Sequence, residues 1–150
     1  AESCTGGLVG NLITNIAGSS DYYLGSVTAY AYEAKEALLG VNHETLLKYG
    51  AVSRPTVLEM ASGVRHSLAG GIPLETIIGV SISGIAGPGG GMPDKPVGTV
   101  WFGMSTPDGD WAWRYLFDGN RVENKRSAAR TALKLVIAYL SGILPPETIP

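Results

Sequence analysis

The run TIIGVSIS, residues 76–83, is apolar on both alternations. A strand open to water on one side alternates apolar and polar residues. This run therefore predicts a central strand buried on two faces, which helices must cover from both sides.

The flanking sequence supplies those helices. LVGNLITNIAG (8–18) places Leu8, Val9, Leu12, Ile13 and Ile16 at helical spacing and stops at Gly18. EAKEALLG (33–40) and HETLLKYG (43–50) read as short helices ended by Gly40 and Gly50. Ser53-Arg54-Pro55 is a helix start, with Ser53 as N-cap and Pro55 in the first turn. Val57, Met60, Ala61, Val64 and Leu68 then keep one apolar face. A long helix over 120–142 points Ala132, Leu133, Val136, Ile137 and Leu140 inward. YYLGSVTAYAY (22–32) is β-branched and aromatic and reads as a strand. VGTVWFGMS (97–105) and WAWRYLFD (111–118) flank Pro107-Asp108-Gly109-Asp110 as a hairpin. The tail from Pro145-Pro146 onward reads as loose. Helices interleaved with buried strands give the α/β class, a three-layer α/β/α domain with a mixed sheet over 1–150. AESCTGG (1–7) reads as a strand end and turn entering a helix, so a strand or helix upstream of this chain is expected.

Composition then limits function. The chain is 45% hydrophobic and 16% charged, enough for a core without disulfides, and Cys4 is the single cysteine. That fits a reducing, cytoplasmic setting. A net charge of −2 argues against nucleic acid or an anionic membrane as partner. No apolar run reaches the roughly 18–20 residues of a membrane span. GIAGPGGG lacks the Lys-Ser/Thr ending of a P-loop, and no S-x-x-K or nucleophile elbow occurs. His43 and His66 stand alone and read as surface or packing residues, so no metal is expected.

Three stretches carry chemistry. In AESCTGG, Ser3, Cys4 and Thr5 precede Gly6 and Gly7 at a helix entrance. Orphan N–H groups there suit an oxyanion or phosphate; the alternative is plain capping by Ser3 or Thr5. On an extended segment, Ser3 and Thr5 would share one side and Cys4 would turn into the core. In YAYEAK (30–35), a desolvated Lys35 would lose its proton near neutral pH and act as a base for serine. The alternative is a solvated lysine paired with Glu33 or Glu36. In SGIAGPGGGMPDKPVGT (83–99), the glycines allow close approach of a ligand and Lys95 offers charge; a mobile surface loop is the alternative. Arg121, Lys125, Arg126 and Arg130 make a basic stripe on the last helix. It reads as a solvated face or as a phosphate anchor, with Arg121 best placed for the latter. The aromatic hairpin, Trp101-Phe102 and Trp111-Ala112-Trp113, suggests a self-association face and a homo-oligomer.

Together these stretches resemble the CinA C-terminal family, the nicotinamide mononucleotide (NMN) deamidases. The resemblance rests on AESCTGG, AGSSDYYLGSVTAY (17–30), EAKEALLGV (33–41), YGAVSRP (49–55), VSISGIAGPGGGMPDKPVGTVWFG (80–103) and GNR (119–121). It implies a three-layer α/β/α sandwich with a mixed, mainly parallel five-stranded sheet. It implies hydrolysis of the NMN carboxamide to nicotinate mononucleotide and ammonia, a pyridine-nucleotide salvage step without metal or cofactor. It implies Ser3 as nucleophile, Lys35 as base and Tyr30 as the accompanying tyrosine. Substrate contacts are expected from Thr5, Gly6, Gly7, Ser83, Gly84, Gly87, Gly89, Gly90, Lys95 and Arg121. Two positions depart from the family pattern: Tyr32 stands where Asn is common, and Asn120 where Asp is favoured. A nucleotide-binding module without catalysis, in competence or DNA-damage response, is the alternative function.

Overall fold

The structure, a computed structural model, describes residues 1–148. Its helices are α1 (Leu8–Thr14), α2 (Tyr32–Leu39), α3 (His43–Tyr49), α4 (Arg54–Ser67) and α5 (Arg121–Leu140). Its regular strands are β1 (Gly79–Gly84), β2 (Thr99–Thr106) and β3 (Gly109–Leu116). The class is α/β.

The regular sheet has three strands in the order β1-β2-β3, with both pairings antiparallel. This differs from a five-stranded, mainly parallel sheet. Parallel pairing is confined to two isolated bridges through Glu2, to Ile82 on one side and Thr28 on the other. Ser3 N–H donates to the Ile82 carbonyl at 3.0 Å, and Ala29 N–H to the Glu2 carbonyl at 2.9 Å. The expected strand over 22–32 reduces to this contact. Tyr22, Leu24 and Tyr30 are exposed rather than packed, and Tyr32 already opens α2. The apolar run 76–83 supplies β1 after a short 3-10 turn at Leu74–Thr76. The strand buried along its whole length is β2, because it is the one flanked by regular strands on both edges.

Helix α4 lies on one face of the sheet. Its start follows the sequence signal, with the Ser53 side chain accepting from Thr56 N–H and Pro in the first turn. The approach is close because Gly79 and Gly103 have no side chain; a Cβ on either would strike an α4 carbonyl, of Ala61 or of Val57. Leu39, Val41, Leu46, Met60 and Val64 tie α2 and α3 to α4 in one buried cluster with Ala29.

Helix α5 covers the opposite face. Ala128, Ala132 and Leu135 pack on Ile82, Val100, Phe102, Met104 and Trp113, with Cys4 in the same cluster. Each fully buried large apolar side chain contributes about 1.5–3 kcal/mol. The inward stripe is thus set by alanines that let α5 approach closely, and Ile137 and Leu140 face outward, against expectation. Trp101, Phe102 and Trp113 are buried in the core, so the hairpin aromatics do not form the exposed patch the sequence suggested.

The tail is not loose through Thr148. Thr148 N–H donates to the Ala112 carbonyl at 3.1 Å, and Trp113 Nε1 donates to the Pro145 carbonyl at 3.1 Å. Glu147 accepts from Ala112 N–H at 2.8 Å and from Arg54 at 2.9 Å. The segment runs along the outer edge of β3. Residues 149–150 lie outside the described residues.

Candidate active site

Residues 1–3 form the extended piece beside β1, and its side chains diverge. Ser3 turns toward α2 and Glu2 turns toward α1. Lys35, on α2, has no exposed surface, and its Nζ lies 3.1 Å from Ser3 Oγ. The same Nζ lies 2.9 Å from the Ala29 carbonyl and 2.8 Å from the Tyr30 carbonyl. Burial lowers its pKa from 10.5 to about 8; the neighbouring Cys4 opposes this weakly. Desolvation penalises the charged form, and among the described residues no carboxylate bonds to Nζ to offset it.

The three contacts suit both protonation states. As an amine, Lys35 donates to two carbonyls and offers its lone pair to the Ser3 hydroxyl proton. As an ammonium, it donates to all three oxygens. Tyr30 therefore holds Lys35 through its backbone carbonyl, while its phenol is exposed and accepts from Arg121 Nη2 at 3.4 Å.

Cys4 is buried in the sheet–α5 core. Burial pushes its thiol up to about 11, which keeps it protonated and weakly nucleophilic at neutral pH. Thr5 does not share the side of Ser3. Residues 4–7 form a turn, so strand alternation ends, and Thr5 Oγ1 donates to Glu2 at 2.6 Å.

Glu2 is the residue that sequence reasoning missed. Its carboxylate is buried and accepts from the N–H groups of Gly7, Val9 and Gly10 at 3.0–3.1 Å. It caps α1 from a neighbouring strand, where Ser3 and Thr5 were the expected caps; the N-cap position itself is Gly7, without a side-chain cap. The only signal was an acidic residue shortly before a helix entrance. The Gly6 N–H is also used, donating to the Ser3 carbonyl at 3.1 Å. The N–H groups of Gly6 and Gly7, expected to be open to a ligand at the helix entrance, are thus committed inside the turn. The N–H groups of Cys4 and Thr5 donate to no other residue among those described.

Ser83 lies on the same face of β1 as Ser81, and its hydroxyl is buried without a hydrogen-bond partner among the described residues. Thr99 Oγ1 is in the same condition and had not been singled out by sequence. Gly84 is glycine for packing, since a Cβ would crowd the Thr99 carbonyl and Val100. Gly87 offers its carbonyl to Arg121 Nη1 at 2.6 Å, which pins the loop to the start of α5. Asn124 adds a second pin, its Nδ2 donating to the Ala86 carbonyl at 3.1 Å. Gly89 and Gly90 are exposed on the outer part of the loop. Lys95 is remote from Ser3 in its bonding: its Nζ donates to the Tyr49 carbonyl at 2.8 Å. The structure therefore brings together Ser3, Lys35 and Tyr30, and separately Arg121, Gly87 and Tyr30; Lys95 belongs to a third cluster.

The two histidines sit apart from all of these. His43 is exposed and meets Glu36 at 2.8 Å, and His66 Nδ1 meets the Ser62 carbonyl at 2.8 Å.

Residues 1–140 match the family model for the CinA C-terminal domain. The chain belongs to the CinA C-terminal domain family. Within it, 47% identity over 135 residues links the chain to the nicotinamide-nucleotide amidohydrolase PncC of Shigella flexneri, covering 89% of this chain and 78% of that protein. A CinA-like protein of Salinibacter ruber is 50% identical over 134 residues, covering 89% of this chain. The chain spans 31% of that relative and 33% of a putative competence-damage inducible protein of Halothermothrix orenii. Among solved structures, a competence-damaged protein (CinA) superfamily protein of Klebsiella pneumoniae superposes with a TM-score of 0.85 at 35% identity, covering 94% of this chain and 84% of that one.

The two residues that depart from the family pattern both make local hydrogen bonds. Asn120 accepts from Val122 and Glu123 N–H at 3.0 and 3.1 Å, and Glu123 returns a bond to Asn120 N–H. This capping box does what Asp would do. The Tyr32 hydroxyl accepts from Ala51 N–H at 3.1 Å, at the turn between α3 and α4. No helix among the described residues is long and apolar enough to cross a membrane.

Proposed function

We propose that this domain hydrolyses the carboxamide of nicotinamide mononucleotide, giving nicotinate mononucleotide and ammonia. The observation that carries the proposal is the Lys35–Ser3 pair: a buried amine with a pKa lowered to about 8, 3.1 Å from a serine hydroxyl. The PncC relative supports the substrate class.

Neutral Lys35 takes the Ser3 proton as Oγ attacks the carboxamide carbon. Charge develops on the former carbonyl oxygen. The N–H groups of Cys4 and Thr5, next along the chain from the nucleophile, are the proposed donors to it, worth about 3 kcal/mol each in comparable sites. The C–N bond then breaks. Lys35 gives its proton to the departing nitrogen, which leaves as ammonia, and the acyl group stays on Ser3 as an ester. Water repeats the cycle: Lys35 takes a water proton, hydroxide attacks the ester, and Ser3 leaves with that proton. The two backbone carbonyls hold Nζ in place throughout, so proton transfer needs no side-chain rearrangement. The unpartnered Ser83 and Thr99 hydroxyls are proposed as polar contacts for the substrate, with the Gly87–Arg121 contact as the rim.

The test is ammonia release from NMN by the wild type, Ser3→Ala, Lys35→Ala and Cys4→Ala. Loss of activity by about 10³-fold or more in the first two, with Cys4→Ala retaining turnover, is the expected pattern. Full activity of folded Ser3→Ala sinks the mechanism.

A further inference from the structure

Four basic residues lie on the first turns of α5, and only Arg121 is tied to the glycine-rich loop. Lys125 and Arg126 form no ion pair among the described residues. Both line an open cleft of about 360 Å³ between α5 and the turn that follows Ser3, together with Gly6, Gly7, Asn11 and Val122. No acidic side chain lines this cleft among the described residues. Glu123, between Val122 and Lys125 in the chain, is turned to the Asn120 N–H at 2.8 Å, and Glu2 is buried and already accepts four hydrogen bonds.

The α1 entrance alone does not make this an anion site, because Glu2 has used its donors. The attraction comes from side chains. Gly6 has φ +63° and no side chain, and Lys125 Nζ lies 3.8 Å from where its Cβ would be. Lys125 thus reaches over the turn, close enough for its charge to favour ionisation of the Cys4 thiol. An ammonium and a guanidinium on adjacent residues, with the Asn11 carboxamide across the cleft, match a tetrahedral dianion. The guanidinium can bind two of its oxygens at once.

We infer that the cleft between the Gly6–Gly7 turn and α5 binds the phosphate monoester of the mononucleotide through Lys125 and Arg126. This rests on the amidase reading and adds to it. The substrate then lies across the turn, its carboxamide at Ser3 and its phosphate on α5. The phosphate is placed away from the Arg121–Gly87 contact, which serves to hold the loop.

The experiment compares NMN with nicotinamide riboside, the same substrate without phosphate, in the wild type, the double variant Lys125→Ala/Arg126→Ala, and Arg130→Ala as a charge control. The expected result is a fall of at least tenfold in the ratio of kcat/KM for NMN to that for the riboside in the double variant. The loss should sit in KM, and the control should keep the wild-type ratio. An unchanged ratio in the double variant, or an equal loss in the control, overturns the inference. If the wild type releases no ammonia from NMN, the amidase reading fails, and inorganic phosphate titrated against wild type and double variant by calorimetry decides the cleft. Binding by the wild type that the double variant loses supports the site; equal binding, or none, overturns it.

Discussion

Gly63 on α4 faces the Leu39 carbonyl at the end of α2, and a Cβ there would collide with that oxygen. The contact fixes the distance between the helix that carries Lys35 and the helix that lies on the sheet. Gly63→Ala gains about 1 kcal/mol of helix propensity and loses about 1–3 kcal/mol to overpacking. The expected outcome is a lower denaturant midpoint with unchanged slope, and ammonia release reduced beyond the loss of folded protein. A variant as stable and as active as wild type would show that α2 is free to shift.

Lys35 must be neutral to accept the Ser3 proton. With its pKa near 8, kcat/KM for NMN rises about tenfold per pH unit below that value and levels above it. A pH–rate profile checks this directly. A profile flat from pH 6 to 9 would mean that another group is the base.

The same lowered pKa sets a stability trend. Lys35 titrates near 8 when folded and near 10.5 when exposed, so between these values the unfolded chain binds more protons. Stability contributed by this residue therefore rises with pH across that window, and its burial costs most below about 8. Denaturation of wild type and Lys35→Met at several pH values isolates the effect. The difference between them should move in favour of wild type from pH 8 to 10.5 and stay constant below pH 7.

Glu2 accepts four hydrogen bonds in a buried setting. Glu2→Gln keeps the shape but turns an NH₂ group toward donors, leaving at least one buried N–H or hydroxyl unpaired. A loss of about 2–3 kcal/mol is expected in chemical denaturation. A neutral outcome would remove Glu2 from the account of how the nucleophile's turn is held.

Much of this was legible because it is written locally. Ser53 with Pro55, the glycines after α2 and α3, and the Pro107–Asp110 turn act over a few residues, and the elements they bound formed as expected. Glu2 was not legible, because the helix it caps is reached through a turn and its partners only meet it in the fold. The aromatic stretch 22–32 misled for a similar reason. Its propensity was right for a strand, but only Val27–Ala29 found a partner, in the segment beside Glu2. Ser3 and Lys35 were each visible as chemistry. They lie 32 residues apart and meet through the parallel pairing of Glu2 with Thr28, which spacing does not encode; the family resemblance supplied it.

The segment ending at Thr148 has a consequence for assembly. Exposed strand edges invite pairing with another chain. Here the Ala112 N–H and carbonyl and the Arg114 N–H, the groups that β3 would offer a second sheet, are taken by Glu147 and Thr148. Two copies cannot zip together strand to strand along this stretch of β3 while that strap is in place. Any assembly that leaves it undisturbed has to use a surface other than this stretch of β3.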